Sequence, residues 1–345
     1  MSDIFPISLL VSIGFIFLHR MQNKSAIDAP IKEPQNLHKK LISRFGGVAI
    51  FVSLFLVSFL EDNETYNFLR TTLICAAPVF VLGLIDDLRI VIDPTIRLLT
   101  VIPSALMAYQ FLGTQAYGLD IPFIDNFFEI KFFSILFICF ALAGIVNAFN
   151  MIDGINGLVL IYVMTICFIT VFYSQPYFSE QTYLLFVAIF FSCLGVLVLN
   201  FPLGRIFLGD GGSYFLGMVI SIALIKHYQD NQLSPWYVAC VLIYPITDTI
   251  FTIFRRIQTK MSTMESDNLH LHHLIFKSVS NKISKYERLK HVITTLIIFS
   301  LYTPFIFLAN YQPTNTLLLA SVCGFFILFY VVSYFVLKKY LLSHK

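Results

Sequence analysis

The sequence predicts an all-α polytopic membrane protein in which about 11 transmembrane helices carry an active site at the cytoplasmic face. Of its 345 residues, 57% are hydrophobic and only 12% are charged. Ordinary soluble domains carry roughly 25% charged residues. The residues capable of chemistry also recur at the same end of successive apolar segments, which predicts that they meet at one face of a helical bundle.

Eleven apolar segments approach the length of about 20 residues that a helix needs to cross a bilayer. They cover about residues 4–19, 45–60, 68–85, 98–112, 132–149, 157–173, 182–199, 213–227, 236–254, 292–309 and 315–337. The first has no basic residue before it and no small-residue cleavage site, so we expect it to be retained as helix one. Without a repeat or a linker, residues 1–345 are expected to form a single integral membrane domain.

Lysine and arginine predict the orientation, because basic loops are retained on the cytoplasmic side. With residue 1 outside, 20 of the 23 basic residues fall in cytoplasmic segments and at the C-terminus. The predicted cytoplasmic loops are about 20–44, 86–97, 150–156, 200–212 and 255–291. The net charge of +3 follows from this bias and indicates anionic headgroups or phosphates, with no nucleic acid as partner. The outside segment 113–131 alternates apolar and polar residues, which predicts a small hairpin or a re-entrant cap.

The second helix begins in RFGG, where Arg44 precedes Gly46 and Gly47. The free N–H groups and the dipole of a helix N-terminus favour an anion, so this turn could hold a phosphate. A topogenic positive charge followed by a close helix contact at the glycines explains the pattern equally well.

The third helix ends in two adjacent carboxylates, Asp86 and Asp87, and Arg97 follows in the same loop. Carboxylates leaving an apolar helix are costly to desolvate, so such a pair usually has a cation, a proton or a substrate as partner. One carboxylate could act as general base while the other sets orientation or contacts a metal. Solvated charges at a helix end are the alternative.

The fifth segment runs into NAFNMIDGING, with Asn147, Asn150 and Asp153 at three-residue spacing. Residues three apart are neighbours on a helix, which predicts one polar strip. The glycines around Asn156 let the backbone approach a ligand closely. Interhelical hydrogen bonds are the alternative use of such a strip.

A glycine-flanked carboxylate, Asp210, opens the eighth segment in FLGDGGS. Its open surroundings suit Mg²⁺, which keeps several waters and binds substrate phosphates. The GK[ST] ending of a Walker A loop is absent, and a plain helix N-cap is the alternative. In the ninth segment Asp248 lies a turn or two before Arg255 and Arg256, and internal pairing with a basic residue is favoured over catalysis.

The longest cytoplasmic loop carries three imidazoles within four residues: His270, His272 and His273. They suit hydrogen bonding to a pyrophosphate, proton transfer or metal binding. Further ligands at the spacing of a zinc site are absent from the sequence, and the six cysteines stand singly in apolar segments.

Taken in order, these motifs resemble the polyprenyl-phosphate N-acetylhexosamine-1-phosphate transferase superfamily of glycosyltransferase family 4. The resemblance rests on RFGG, IDDLR with Arg97, NAFNMIDGINGL, FLGDGGS, PITDT followed by two arginines, and HLHH. The HLHH form is similar to the bacterial branch that transfers a simple sugar phosphate. Two positions depart from the family pattern: Asn156 replaces a second Asp associated with uridine, and Asn268 stands where relatives often have Arg.

The resemblance implies Mg²⁺-dependent transfer of a sugar 1-phosphate from a UDP-sugar to undecaprenyl phosphate, with release of UMP. N-acetylglucosamine is the first choice of sugar, and the product would initiate an O-antigen, common-antigen or teichoic-acid type of glycan. A bacterial inner-membrane location is implied. Mn²⁺ could replace Mg²⁺, and the chain could form a homodimer.

The resemblance also implies roles for the motif residues. Asp86, Asp87 and Asp153 would be catalytic, and Asp210 would bind Mg²⁺, with Asn150 and Asp87 as further candidate ligands. The expected substrate-binding residues are Arg44, Arg97, Asn147, Asn150, Asn156, His270, His272 and His273.

A secondary transporter is the alternative from another functional class, with the carboxylates serving as a cation or proton path. Transporters place ionisable residues near the bilayer midplane on broken helices, often in related halves. In this chain the carboxylates fall at predicted cytoplasmic helix ends and the halves share no pattern, so a transferase is favoured.

Overall fold

A computed structural model describes residues 4–22, 42–88, 90, 92–173, 178–259, 269–283 and 286–343. Asn268, one of the two departures from the family pattern, lies outside these residues. The described chain forms fourteen helices. They are α1 (Ile4–Gln22), α2 (Gly46–Val57), α3 (Glu64–Asp87), α4 (Pro94–Leu112), α5 (Asp125–Phe128), α6 (Lys131–Ile152), α7 (Leu158–Tyr173), α8 (Glu180–Asn200), α9 (Gly209–Asp230), α10 (Pro235–Val241), α11 (Ile243–Gln258), α12 (Leu271–Lys282), α13 (Glu287–Tyr311) and α14 (Thr316–Ser343).

Six of these helices are long and apolar enough to cross a membrane: α3, α4, α6, α8, α13 and α14. Helices α10 and α11, bent by 81° relative to each other, would add a seventh span if they act together. Helices α1, α2 and α7 are apolar but shorter. The polytopic all-α class is therefore confirmed, and each predicted apolar segment coincides with a helix or with the bent pair. The number of eleven crossings stays a prediction.

Several helices begin where a side chain accepts a backbone N–H group. Asn63 accepts from Tyr66 at 3.0 Å before α3, and Asp93 accepts from Thr95 at 2.7 Å before α4. Such caps satisfy donors that the first turn of a helix leaves without a partner. Gly113 ends α4 with a φ of 65°, a conformation that glycine adopts without steric cost.

Helix α9 is the centre of the bundle, since it is buried along most of its length and packs against α2, α3, α6 and α8. Two glycines allow the close crossings. A Cβ added at Gly83 of α3 would lie 2.6 Å from the carbonyl oxygen of Asp210, and Gly47 of α2 faces the backbone of Gly212 in the same way. The predicted close helix contact at the RFGG glycines is thereby confirmed.

The outside segment 113–131 contains no strand and instead forms turns followed by the short helix α5. The hairpin, one of the two alternatives predicted there, is wrong, and the re-entrant cap stays a prediction. The Asp125 carboxylate accepts the N–H groups of Leu119 at 2.6 Å and Ile121 at 3.1 Å. Because a side chain binds these donors, they are not available for a strand ladder.

Candidate active site

The end of α3, the end of α6 and the start of α9 are joined by hydrogen bonds at one end of the bundle. Asp87 accepts the backbone N–H groups of Asp210 and Gly211, one on each carboxylate oxygen, at 2.9 Å. Asn150 donates from Nδ2 to Asp210 Oδ1 at 2.8 Å and to Ser213 Oγ at 3.0 Å. Three motifs that are far apart in sequence therefore meet in space, as their common position at helix ends predicted.

Both carboxylate oxygens of Asp87 accept hydrogen bonds from α9, and the residue is only 3% exposed. A carboxylate at the N-terminus of a helix satisfies unpaired N–H donors and is favoured by the helix dipole. The geometry thus gives Asp87 a clear task in holding the first turn of α9. Its predicted roles as general base and metal ligand stay predictions.

Asp86 faces a different partner, since Arg97 Nη2 lies 2.9 Å from its Oδ1. Tyr214, in the second turn of α9, also interacts electrostatically with the guanidinium of Arg97. The Asp86 side chain is 10% exposed, so solvent screens this ion pair only weakly. The two adjacent carboxylates at the end of α3 therefore reach two separate groups.

Asp153 follows the last residue of α6 and lies within electrostatic reach of two other carboxylates. Desolvation, followed by the negative charges of Asp210 and Asp87, raises the pKa of Asp153 well above its usual range, while the charge of Arg44 opposes the shift. The described residues give its carboxylate no hydrogen-bond partner. A gathering of three carboxylates favours the uptake of a proton or the binding of a cation.

The RFGG turn does not present its first glycine N–H groups to a ligand. Gly46 donates to the carbonyl of Phe207 at 2.9 Å, and Gly47 donates to that of Leu208 at 2.8 Å. The prediction that these two donors hold a phosphate is wrong, because the chain before α9 already binds them. The predicted contact of Arg44 with a phosphate remains a prediction.

The two other asparagines of the NAFNMIDGING motif are held differently. Asn147 donates from Nδ2 to the carbonyl of Ala143 in its own helix at 2.8 Å. Asn156 is 7% exposed, and its backbone is held by α13. Its N–H donates to His291 Nδ1 at 3.4 Å, and its carbonyl accepts from Thr295 Oγ1 at 2.9 Å.

Sequence reasoning missed both α13 residues that hold Asn156. His291 and Thr295 stand in or beside an apolar segment without a recognisable motif. Their separation from Asn156 by more than 130 positions leaves no local signal of the contact.

Asp248 pairs with a basic side chain, as predicted, and that side chain belongs to His270, which the sequence had not indicated as its partner. Its Nδ1 lies 2.7 Å from Asp248 Oδ2, and the hydroxyl of Tyr330 donates to Asp248 Oδ1 at 2.5 Å. The sequence singled out Asp248 and His270 separately, whereas Tyr330 was missed because it lies in the last apolar helix.

His272 and His273 cover Gly154, next to Asp153. A Cβ added at Gly154 would lie 2.9 Å from His273 Cε1 and 3.3 Å from His272 Nε2. Tyr244, also missed from the sequence, lies with its hydroxyl 3.3 Å from His272 Nδ1. Burial, followed by the neighbouring imidazole of His273, lowers the pKa of His272 well below its usual range, which keeps this ring neutral.

Mg²⁺ prefers oxygen ligands, and Asp210, with its neighbours Asn150 and Ser213, supplies side-chain oxygens of that kind. The described residues contain no cluster of three or more His, Cys, Asp or Glu side chains arranged to hold a metal. Mg²⁺ commonly uses one or two protein carboxylates and completes its shell with water and substrate phosphates, so such a cluster is not required. Rotation of the Asn150 amide by 180° would present its oxygen to a cation held by Asp210.

Known proteins similar to this chain belong to one family of glycosyl transferases. The family described as Glycosyl transferase family 4 matches residues 69–228. A probable undecaprenyl-phosphate N-acetylglucosaminyl 1-phosphate transferase of Bacillus subtilis is 30% identical over 268 residues, covering 75% of this chain and 72% of that protein. Undecaprenyl-phosphate alpha-N-acetylglucosaminyl 1-phosphate transferases of Thermotoga maritima and Salmonella typhi are 28% and 27% identical. The first covers 86% of this chain and 88% of its own length, and the second covers 81% and 77%.

Proposed function

Because the chain belongs to glycosyl transferase family 4, we propose that it transfers N-acetylglucosamine 1-phosphate from UDP-N-acetylglucosamine to undecaprenyl phosphate. UMP is the second product. The reaction class follows from the relatives, which are named as N-acetylglucosaminyl 1-phosphate transferases acting on undecaprenyl phosphate. The resemblance to this superfamily and to its bacterial branch, indicated by the ordered motifs, is confirmed.

The observation that best supports the proposal is the joining of Asp87, Asn150 and Asp210 at one end of the bundle. The reaction brings together two anions, a lipid phosphate and a nucleotide diphosphate. Catalysis of phosphoryl transfer consists largely of positioning such groups and neutralising their repulsion. A rigid cluster flanked by arginines and histidines is suited to that task.

Mg²⁺ is the proposed cofactor, with Mn²⁺ as a substitute. Asp210 and Asn150 are the residues that would hold it, and a bound cation would neutralise charge on the donor diphosphate. Asp87 would support the site by holding the first turn of α9, on which Asp210 lies.

Asp153 is proposed to accept the proton of the lipid phosphate in place of Asp87, because both Asp87 oxygens hold the first turn of α9, whereas the Asp153 carboxylate has no hydrogen-bond partner among the described residues. Asp86 would orient Arg97 toward a substrate phosphate. The other proposed phosphate ligands are Arg44, His270, His272 and His273. Asn147 and Asn156 are proposed for the nucleotide and sugar side.

The proposed topology has eleven crossings in the bacterial inner membrane, with α1, α2, α7, α9 and the bent α10–α11 pair counted as spans. The active site would face the cytoplasm, because 20 of the 23 lysines and arginines lie in segments at that side or at the C-terminus. The product would initiate a lipid-linked surface glycan. A homodimer remains part of the proposal.

The test uses purified protein in detergent with undecaprenyl phosphate and a panel of UDP-sugars, in Mg²⁺, Mn²⁺ or EDTA. We expect UMP release and a lipid product of the mass of undecaprenyl diphosphate N-acetylglucosamine, both abolished by EDTA. The Asp210→Asn variant is the matched negative control. If folded wild-type protein released no UMP with any donor, the transferase proposal would be rejected and flux through proteoliposomes would be measured instead.

A further inference from the structure

Helix α11 holds two of the three histidines of the HLHH motif by the same ring atom. Tyr244 and Asp248 are four residues apart, and therefore lie on one face of the helix. The Tyr244 hydroxyl lies 3.3 Å from His272 Nδ1, and Asp248 Oδ2 lies 2.7 Å from His270 Nδ1. The two imidazoles stack with their planes 15° apart and their centroids 5.3 Å apart.

Asp248 is itself held in place from two further directions. Tyr330 of α14 donates to its Oδ1 at 2.5 Å, and the backbone N–H of Leu271 lies 3.4 Å from the same oxygen. Asp248 is 0% exposed. Burying a carboxylate in a membrane protein is costly unless it is paired, so the surrounding groups restrict it to this one arrangement.

The contact determines which nitrogen of His270 carries a proton. An ionised carboxylate has only acceptors, so the Nδ1 atom at 2.7 Å must be the donor. A phosphate oxygen also has only acceptors, so Nε2 must carry a proton as well when it binds one. A carboxylate that orients a functional imidazole in this way typically contributes strongly to function without touching the substrate.

We propose that Asp248 is a positioning residue which, supported by Tyr330, orients His270 so that Nε2 of the imidazolium form donates its proton to a phosphate oxygen of the nucleotide donor in a hydrogen bond. The inference rests on the proposed transferase function. It gives Asp248 a task in the reaction, whereas the sequence favoured a purely structural pairing. The catalytic chemistry remains with residues that contact the substrates.

The test is a double-mutant cycle between Asp248→Asn and His270→Gln, measured as kcat/KM for UDP-N-acetylglucosamine. We expect each single variant to lower kcat/KM by about 10- to 100-fold, the range typical of lost orienting groups. If Asp248 acts through His270, the double variant should be no worse than His270→Gln alone. Losses that multiply would overturn the proposal, because they would show that Asp248 acts independently of His270.

Two further variants guard against a folding defect. Tyr330→Phe removes one hydrogen bond to Asp248 and leaves the carboxylate in place, so it should lower kcat/KM less than Asp248→Asn does. In the His270→Gln background it should have no further effect. Tyr237→Phe makes the same chemical change at a buried tyrosine that bonds Asn310 away from this cluster. It should leave kcat/KM unchanged.

Donor affinity gives a second readout when His270→Gln has too little activity for the kinetic cycle. The dissociation constant of UDP-N-acetylglucosamine is then measured for the wild-type protein, the two single variants Asp248→Asn and His270→Gln, and the double variant. A double variant that binds no more weakly than His270→Gln again supports the proposal. Absence of UMP release by the wild-type protein would reject the proposed function. If the wild-type protein is active but the losses of the two single variants multiply in the double variant, only the role of Asp248 is rejected.

Discussion

The carboxylate of Asp87, the last residue of α3, caps the first turn of α9 by accepting the backbone N–H of Asp210 at 2.9 Å. Its other oxygen accepts the N–H of Gly211 at the same distance. The position of the Asp210 side chain therefore depends on a residue that precedes it by 123 positions in the sequence.

The first prediction concerns this cap. Asp87→Asn replaces one acceptor oxygen with an NH₂ group that faces a backbone donor, so the free energy of unfolding should fall by about 0.5–2 kcal/mol. Thermal unfolding in detergent measures the loss, and Mg²⁺ titration of activity gives the control. The Mg²⁺ concentration for half-maximal activity should change less than in Asn150→Ala. Unchanged stability with a greatly increased Mg²⁺ requirement would instead identify Asp87 as a metal ligand.

The second prediction concerns the close crossing of α3 and α9. Gly83→Ala places a Cβ where the carbonyl oxygen of Asp210 lies at 2.6 Å, so the helices must separate. Such overpacking typically costs about 1–3 kcal/mol, and activity should fall with stability. Gly144→Ala in α6 is the matched control, because an added Cβ there meets no atom within 4 Å. Equal melting temperatures for the two variants would contradict the crossing.

The third prediction concerns the ion pair of Asp86 with Arg97. Arg97→Lys keeps the charge but loses the planar guanidinium that contacts Asp86, so activity should fall with either Lys or Gln at position 97. The losses from Asp86→Asn and Arg97→Gln should not be additive, with a coupling of about 0.5–3 kcal/mol. Arg70→Gln, which breaks the exposed contact with Asp62, should leave kcat unchanged. Full activity in Arg97→Lys would show that charge alone suffices.

The fourth prediction concerns Asn150 and the Mg²⁺ requirement. Asn150→Ala removes the amide that contacts Asp210 Oδ1 at 2.8 Å, so the Mg²⁺ concentration for half-maximal activity should rise. An increase of about 10- to 100-fold is expected from the loss of a ligand or an orienting group. Asn147→Ala should produce a smaller shift, since its amide donates to Ala143 within α6. The same shift in both variants would argue against a special role for Asn150.

The fifth prediction concerns the support of Asn156 by α13. Thr295→Val keeps the side-chain shape but removes the donor to the Asn156 carbonyl at 2.9 Å. The loop that contains Asn156 should be held less firmly against α13. KM for the nucleotide donor should therefore rise by about 3- to 10-fold, consistent with a net hydrogen-bond contribution near 1 kcal/mol.

The adjacent Thr294→Val is the control for that change. Thr294 is also buried, but its hydroxyl finds no partner among the described residues. KM for the donor should therefore be unaffected. An unchanged donor KM in Thr295→Val, or an equal change in KM for undecaprenyl phosphate, would contradict a role on the nucleotide side.

Much of the candidate site was predictable because its residues stand in motifs at the ends of apolar segments. Asp86 and Asp153 each mark the place where an apolar run ends, and Asp210 marks the place where one begins, which is a local property of the chain. In the structure, the ends of α3 and α6 meet the start of α9, which brings the motifs together. The ordered motifs also indicated the correct family.

Other members of the site carry no local signal. Tyr244, Tyr330, His291 and Thr295 lie within or beside apolar helices, where a hydroxyl or an imidazole does not stand out. Their roles appear only when α11, α13 and α14 are packed around the motif loops. The hairpin predicted at 113–131 failed for a related reason, because the Asp125 side chain competes for the backbone donors.

The sequence by itself determined the all-α membrane class, the helix positions and the family, because hydrophobic run length and motif order are encoded along the chain. Only the tertiary structure decided which N–H groups the oxygens of Asp87 accept and which groups orient the histidines. It also decided which backbone the RFGG glycines must approach. These outcomes depend on contacts between residues distant in sequence. A polar group buried in a bundle takes whichever partner the packing of the helices brings within hydrogen-bond distance.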